Sequence, residues 1–485
     1  MPNGSPDERR RNRLALAGTL LLALLLRAPY LGTPLGLDEG GTAYIAHAWG
    51  SAHGSLYGAY WLDRPPMLVL AFNAAALGGD LGIRALGAVA ALALVVAVTL
   101  LGRALGGDRA GRIAGFLTAL LTGSVALAAV FTPGELLAVV PSAFSVLCLV
   151  LAHRRRTSRW VMAAGLLAVG AALFKQSFLD AGLAGLVFVL ASGMRDRDVR
   201  WRWPAAYAFG ASIPLGALLG WQLAAHLPDG GFGYALFGFR LDALRALSGS
   251  DIPLHVRITQ LLVPALGSGL VVAVPVAIAG LRLLRGDRIL LVTLGAWLVG
   301  AAVGILGGGS YWPHYLIALV PVSSVGAALA LAAARPRIRS GALRVAASLA
   351  AVLAISGGVY TRAHPPEQPE LAVARYVREH ARPGDTQYVL YARGNVAYYD
   401  GLPTPYPYAW SLMVRAHPGA VPRLRGLLAS SSRPTWLVEW QDVGHWNLDP
   451  GGVTARLVAR GYRRVATVSG HPILRRRDAP ARAAG

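Results

Sequence analysis

The chain reads as a polytopic α-helical membrane protein with a small α/β domain outside the bilayer, and three features of the sequence lead there. Its 485 residues are 55% hydrophobic and only 14% charged, with a mean hydropathy of +0.48, too apolar for an ordinary soluble protein. Apolar runs long enough to cross a bilayer follow one another over residues 14–360, about eleven by the hydropathy criterion. After residue 360 the pattern changes to short alternating and helix-spaced stretches, as a compact water-exposed fold requires.

The first element is a polar, arginine-rich tail, 1–13, followed by the apolar run Leu14–Tyr30. A cleavable signal peptide is the rival for this start. The absence of a small-residue cleavage site before Asp38, together with the further apolar runs, favours a retained first span. A loop, 31–80, comes next and holds two short amphipathic stretches. Spans are then expected at about 81–102, 113–131, 135–152, 160–173, 178–194, 204–226, 257–281, 289–306, 312–334 and 342–360.

The formal net charge of +22 does not point to nucleic acid, because the arginines sit in short clusters between apolar runs and not along one face. Arg9–Arg11, Arg103 with Arg109 and Arg112, Arg154–Arg156, Arg195 with Arg197 and Arg200, Arg282 with Arg285 and Arg288, and Arg335 with Arg337 and Arg339 occupy every second connection. That alternation places the N-terminus in the cytoplasm and the intervening connections, including everything after Tyr360, outside. The single cysteine, Cys148, lies in an apolar run, so there is neither a disulfide framework nor a cysteine metal site.

The tail, 361–485, is expected to hold a helix over 370–380, strands at 387–391 and 434–439, a helix over 452–460 and a strand at 464–468. Its aromatic pairs, Tyr398-Tyr399 and Tyr406 to Trp410, suit a sugar or the membrane surface, and equally ordinary packing.

Two stretches of the first outer loop carry the polar chemistry: Gly36-Leu37-Asp38-Glu39-Gly40-Gly41-Thr42 and Tyr60-Trp61-Leu62-Asp63-Arg64-Pro65-Pro66. Adjacent carboxylates where the backbone leaves the bilayer need water, a cation or chemistry to keep them there. Asp38 is also of the right type to cap a short helix running from about Glu39 to Ser51. The other outward connections contribute Glu135-Leu136-Leu137, Phe174-Lys175-Gln176-Ser177 and Tyr311-Trp312-Pro313-His314-Tyr315, and Lys175 is the sole lysine of the chain.

These motifs, in this order and all on the outward side, resemble the GT-C type membrane glycosyltransferases, in particular the bacterial branch similar to protein O-mannosyltransferases and the lipid A aminoarabinose transferase. The resemblance covers residues 14–360. The chain departs from better-known members in having Arg64-Pro65-Pro66 where Lys-Pro-Pro is common. The resemblance implies a catalytic membrane domain over 14–360 and a place in the bacterial plasma membrane, while the extracytoplasmic α/β domain expected over 361–485 rests on that segment's own pattern. The implied activity is inverting transfer of a sugar from a polyprenyl-phosphate donor to an acceptor hydroxyl. That acceptor is a cell-envelope glycan, a glycolipid or a protein.

That reaction assigns expected roles. A carboxylate must take the proton of a poorly nucleophilic hydroxyl, and Asp38 is expected to be that base. Glu39 or Glu135 would stabilise positive charge on the sugar ring or orient the acceptor, although Glu135 also suits a helix N-terminus. The lipid phosphate needs cations: Arg64 as a bidentate partner and Lys175 as a point charge, the latter also a candidate for snorkelling. His314 can hydrogen-bond phosphate or sugar, or belong to an interfacial His-Tyr belt. Asp63 and Tyr315 complete the candidate substrate contacts, while Arg240 and Arg245, in the long segment 227–256, are phosphate candidates without a motif. Asp38, Glu39, Asp63 and Glu135 together would suit magnesium, calcium or manganese, whereas the resemblance implies a metal-independent reaction. A transporter or flippase of lipid-linked glycans is the alternative from another class, with a glycan-binding scaffold as the third; acids at one surface and the lack of an inverted repeat argue against transport.

Overall fold

The computed structural model describes residues 5–50, 55–225, 227, 231–248, 254–307, 309–342, 344–346, 348–349, 352, 368–391 and 393–478. Helix α1 (Pro6–Arg27) begins with Ser5 capping Glu8 N–H and runs through the first expected span. Two short helices follow, α2 (Leu37–Gly50) and α3 (Pro66–Ala76), where amphipathic stretches were expected. Helix α4 (Gly79–Thr122) is broken at Gly106 and Gly107, whose φ values are −129° and +78°. The second value is left-handed, which glycine adopts without penalty. The chain folds back there, so that the α-carbons of the second arm's Gly111 and Gly115 lie against Thr99 of the first arm, and one continuous helical assignment contains two of the expected runs.

Four more helices continue the bundle: α5 (Gly134–Arg155), α6 (Ser158–Phe174), α7 (Asp180–Arg195) and α8 (Arg202–Ala224). Then come α9 (Phe239–Ser248), α10 (Leu254–Ser268), α11 (Leu270–Leu281), α12 (Arg288–Leu306), a 3₁₀ turn over Pro313–Leu319 and α13 (Val320–Ala333). Among the described residues five helices are long and apolar enough to cross a membrane, or six if the bent pair α10–α11 is one span. By that measure the expected count of about eleven is not reached. Helices α6 and α7 are 17 and 16 residues long, and the expected 257–281 run is bent by 75° at Gly269, where φ is +80°. The expected span 342–360 lies for the most part outside the described residues.

One expected span ends early for a visible reason. The run at 113–131 stops being helical at Thr122, and residues 123–133 form an irregular connection with left-handed Ala128. Arg27, 1% exposed at the end of α1, donates to the Thr122 carbonyl at 2.9 Å and the Ala129 carbonyl at 2.8 Å. A helix end inside an apolar bundle leaves orphan carbonyls, and this guanidinium satisfies them.

The arginine-rich connections meet at one end of the bundle. His153 Nε2 lies 2.9 Å from Asp287, Arg156 pairs with Asp196, and Asn12 donates to Asp108 at 2.7 Å. The connections carrying Asp38, Thr132 to Glu135, and His314 gather elsewhere, around one cavity.

Residues 369–478 fold as a four-stranded mixed sheet with helices. Strands β1 (Gln387–Val389), β2 (Trp436–Val438), β3 (Tyr462–Val468) and β4 (His471–Arg476) are ordered β1-β2-β4-β3, with β1 and β2 parallel and the other pairs antiparallel. The expected helices are present at Pro369–His380 and Val453–Gly461. Sequence reading passed over β4 and the short helices Gly394–Asp400, Ser411–Ala416 and Ala420–Ala429. This unit packs directly on the 31–80 loop. Leu35 N–H donates to the Tyr399 hydroxyl at 2.6 Å, that hydroxyl donates to Asp80 at 2.8 Å, and Thr404 N–H donates to the Tyr44 hydroxyl at 2.9 Å. The tail aromatics are thus joints between the two parts.

At this junction Asp400 is 3% exposed. Its Oδ1 accepts Leu402 N–H at 2.8 Å while Oδ2 is buried with no hydrogen bond. Burial pushes its carboxyl well above the ordinary range, against the pull of Leu402 N–H and Arg378. The folded state therefore holds this proton after the unfolded chain has lost it, above about pH 3.9, and stability falls as pH rises from there until the folded group ionises. Asp400→Asn, which imitates the protonated acid, is expected to raise the detergent melting temperature at pH 7, with the gain shrinking towards about pH 4. A gain independent of pH would contradict the account.

Candidate active site

A cavity of about 440 Å³ opens between the bundle and the C-terminal sheet unit. The 31–80 loop supplies Asp38, Asp63 and Arg64, the first turn of α5 supplies Glu135, α9 supplies Arg240, and the 309–315 segment supplies His314 and Tyr315. From the far side the C-terminal unit adds Arg393 and Trp410. Seven of the eight residues expected to act, Asp38, Glu39, Asp63, Arg64, Glu135, His314 and Tyr315, line this one space.

The four acids differ in what holds them. Glu39 is buried and fully engaged: Oε1 pairs with the Arg84 guanidinium and accepts Thr132 N–H at 2.7 Å, and Oε2 accepts Gly36 N–H at 3.1 Å. Asp63 lies between two arginines, with Arg64 Nη1 at 2.6 Å on Oδ1 and Arg240 Nη2 at 2.8 Å on Oδ2. Burial alone would raise its carboxyl, but Arg64 and Arg240 outweigh burial and hold it below the ordinary carboxylate range. Glu135, in the first turn of α5, pairs with Lys175 and has His314 Nε2 at 3.5 Å. Asp38 alone of the four has no ion pair among the described residues. It is exposed on the cavity wall, where Trp410 Nε1–H donates to Oδ1 at 2.9 Å.

Asp38 is the second residue of α2, which starts at Leu37, two positions inside the helix from the capping place that its type alone suggests. Lys175, just beyond α6, is 3% exposed and lies behind Glu135, with Nζ 4.5 Å from the centre of the Tyr315 ring. It is the one expected phosphate ligand absent from the cavity wall. The four acids that together would suit a divalent ion do not gather as one ligand set. Among the described residues no three His, Cys, Asp or Glu side chains are grouped to hold a metal, and three of the four acids have guanidinium or ammonium partners of their own. The residues present do not fit a metal there.

Four residues of the site were not among those expected to act. Arg84 stands alone inside the apolar run of α4, and a charge in such a place is itself a signal of a partner. Arg240 lacked a motif, and only folding brings it to Asp63; Arg245 instead pairs with Asp242 at 2.8 Å and stays exposed. Trp410 and Arg393 come from the C-terminal unit, more than 300 positions from Asp38, and no local pattern joins them to the loop.

Residues 63–221 match the family model described as dolichyl-phosphate-mannose-protein mannosyltransferase. No curated protein matches the chain in sequence. Among solved structures, the fold is similar to that of ArnT from Cupriavidus metallidurans bound to undecaprenyl phosphate, at 17% identity and a TM-score of 0.65, over 95% of this chain and 97% of that one. It is also similar to the Archaeoglobus fulgidus oligosaccharyltransferase in its apo form, at 14% identity and a TM-score of 0.59, over 88% of this chain and 69% of that one. A further match is AglB from the same organism in complex with an inhibitory peptide and a dolichol-phosphate, at 14% identity and a TM-score of 0.57, over 94% and 73% of the two chains. In fold along nearly its whole length, and in sequence over residues 63–221, the chain resembles the GT-C type membrane glycosyltransferases.

Proposed function

We propose that this protein is an inverting membrane glycosyltransferase that moves a sugar from a polyprenyl-phosphate donor to an acceptor hydroxyl on the outer face of the bacterial plasma membrane. The observation that carries the reading is the division of labour among the acids. Glu39, Asp63 and Glu135 are each held in an ion pair with a cation, whereas Asp38 faces the cavity in no ion pair among the described residues. An acid tied up in no ion pair and beside open space is the group able to take a proton.

In this reading the acceptor oxygen attacks the anomeric carbon from the face opposite the phosphate, and its proton passes to Asp38. The bond between the anomeric carbon and the phosphate oxygen breaks, and its electron pair leaves with the lipid phosphate. Arg64 and Arg240, which Asp63 holds side by side, receive that phosphate; Lys175 adds positive charge from behind Glu135. Glu135 and His314 face the sugar, and Tyr315 contributes ring surface. Glu39 supports the loop and does not touch the reacting atoms. The neighbours ArnT and AglB, solved with undecaprenyl phosphate and a dolichol-phosphate, support the donor class.

The test incubates the purified protein with a panel of radiolabelled polyprenyl-phosphate sugars and an envelope extract. Label should move from one donor, and Arg64→Ala and Arg240→Ala should weaken donor binding together with turnover, since a phosphate contact exists before the transition state as well as in it. No movement of label from any donor would refute the reading; unchanged donor affinity in both variants would remove the two arginines from it. The orientation, with the N-terminus cytoplasmic and residues 361–485 outside, is part of the proposal and follows from the arginine clusters. Reporter fusions at Arg155 and Arg475 should report opposite sides, and the same side for both would overturn it.

A further inference from the structure

Asp180 opens α7 within the apolar bundle and is 1% exposed. Polar groups at such depth are retained for a reason. Ser142 Oγ–H of α5 and Trp297 Nε1–H of α12 each donate to its Oδ2 at 2.8 Å. Oδ1 is buried without a hydrogen-bond partner. Against this carboxylate lies a second, much smaller void of about 10 Å³, whose walls include Glu135, Ser177 and Tyr315. Glu135 and Tyr315 also line the large cavity, so they form the partition between the two spaces. A void of this size has room for about one water, and such a water needs polar partners on its walls; two carboxylates provide them.

We propose that Asp180 is a positioning residue for sugar transfer: through one water in this void it fixes the Glu135 carboxylate, which Lys175 also pairs with from behind and His314 approaches from the cavity wall. Ser142 and Trp297 in turn fix Asp180. No bond is made or broken at Asp180; its effect reaches the reaction only through Glu135. The inference rests on the reading of Glu135 as a group that faces the sugar.

The experiment is a double-mutant cycle in the full chain, with Asp180→Asn and Glu135→Gln singly and together, and Ser142→Ala as a milder second probe. Donor KM, kcat from pH 5 to 9 and detergent melting are measured for each. Asp180→Asn should lower kcat roughly ten- to a hundredfold, the effect of losing one hydrogen bond to a charged group, leave donor KM unchanged and alter the pH profile. In the Glu135→Gln background the same substitution should have little further effect. Ser142→Ala should act in the same direction and less strongly. An equal factor in both backgrounds, or no effect in the wild type, overturns the proposal. A readout independent of turnover is the carboxyl infrared band that Asp180→Asn removes: it should shift in Glu135→Gln, and an unmoved band rejects the water link. Full-speed transfer by Glu135→Gln would instead strike the role given to Glu135, and the infrared measurement would still decide whether the two carboxylates are joined.

Discussion

Asp38→Asn is expected to lower sugar transfer at saturating donor by about a hundred- to ten-thousandfold, the usual worth of general-base help, with the fold unchanged. Asparagine keeps the size of the side chain and an oxygen able to accept the Trp410 indole N–H, which lies 2.9 Å from Oδ1. It loses only the capacity to take a proton. Position also separates the chemical role from a capping one. Asp38 is inside the first turn of α2, and asparagine is as good a cap as aspartate, so a capping role would leave transfer intact. The measurement pairs a transfer rate with a melting curve in detergent. Near-wild-type transfer by a well-folded Asp38→Asn would end the assignment and pass it to Glu135.

Glu39→Gln is expected to act on stability first. The Arg84 side chain is 1% exposed and its charge is balanced by Glu39; removing one partner of a buried ion pair destabilises by about 3–5 kcal/mol. Glutamine retains an acceptor for Thr132 N–H, so the loss is that of the counter-charge. The detergent melting temperature should fall strongly, while kcat measured well below the new midpoint stays within a few-fold of wild type. The result that would return Glu39 to the chemistry is an unchanged melting temperature with a large fall in kcat. Replacing both partners with apolar residues, as in Glu39→Leu with Arg84→Met, should recover part of the stability, because no charge is then left buried alone.

Neighbouring residues of one motif thus do different work, and the sequence could not say which. Asp38 and Glu39 are adjacent and chemically alike, and both stood as candidates for the reaction. On a helix they point about a quarter-turn apart, so one reaches the cavity and the other turns inward to Arg84 and Thr132. Lys175 has the same lesson in reverse: its motif was legible, but its depth behind Glu135 was not.

What the sequence determined by itself is whatever short-range pattern and transfer free energy decide. Apolar runs gave the membrane-spanning class, alternating arginine clusters sorted the connections into two sets, and motifs within a few residues of one another marked Asp38, Asp63-Arg64, Glu135 and His314-Tyr315. Tertiary structure alone decided the pairing of charges. Arg240 reaches Asp63 from 177 positions away, Arg84 reaches Glu39 from 45 and Trp410 reaches Asp38 from 372. It also decided where helices stop short, as at Thr122, where Arg27 takes the free carbonyls. The physical reason is that burial in an apolar bundle makes every unpaired charge or carbonyl expensive, and the partner that relieves it is chosen by packing and not by distance along the chain.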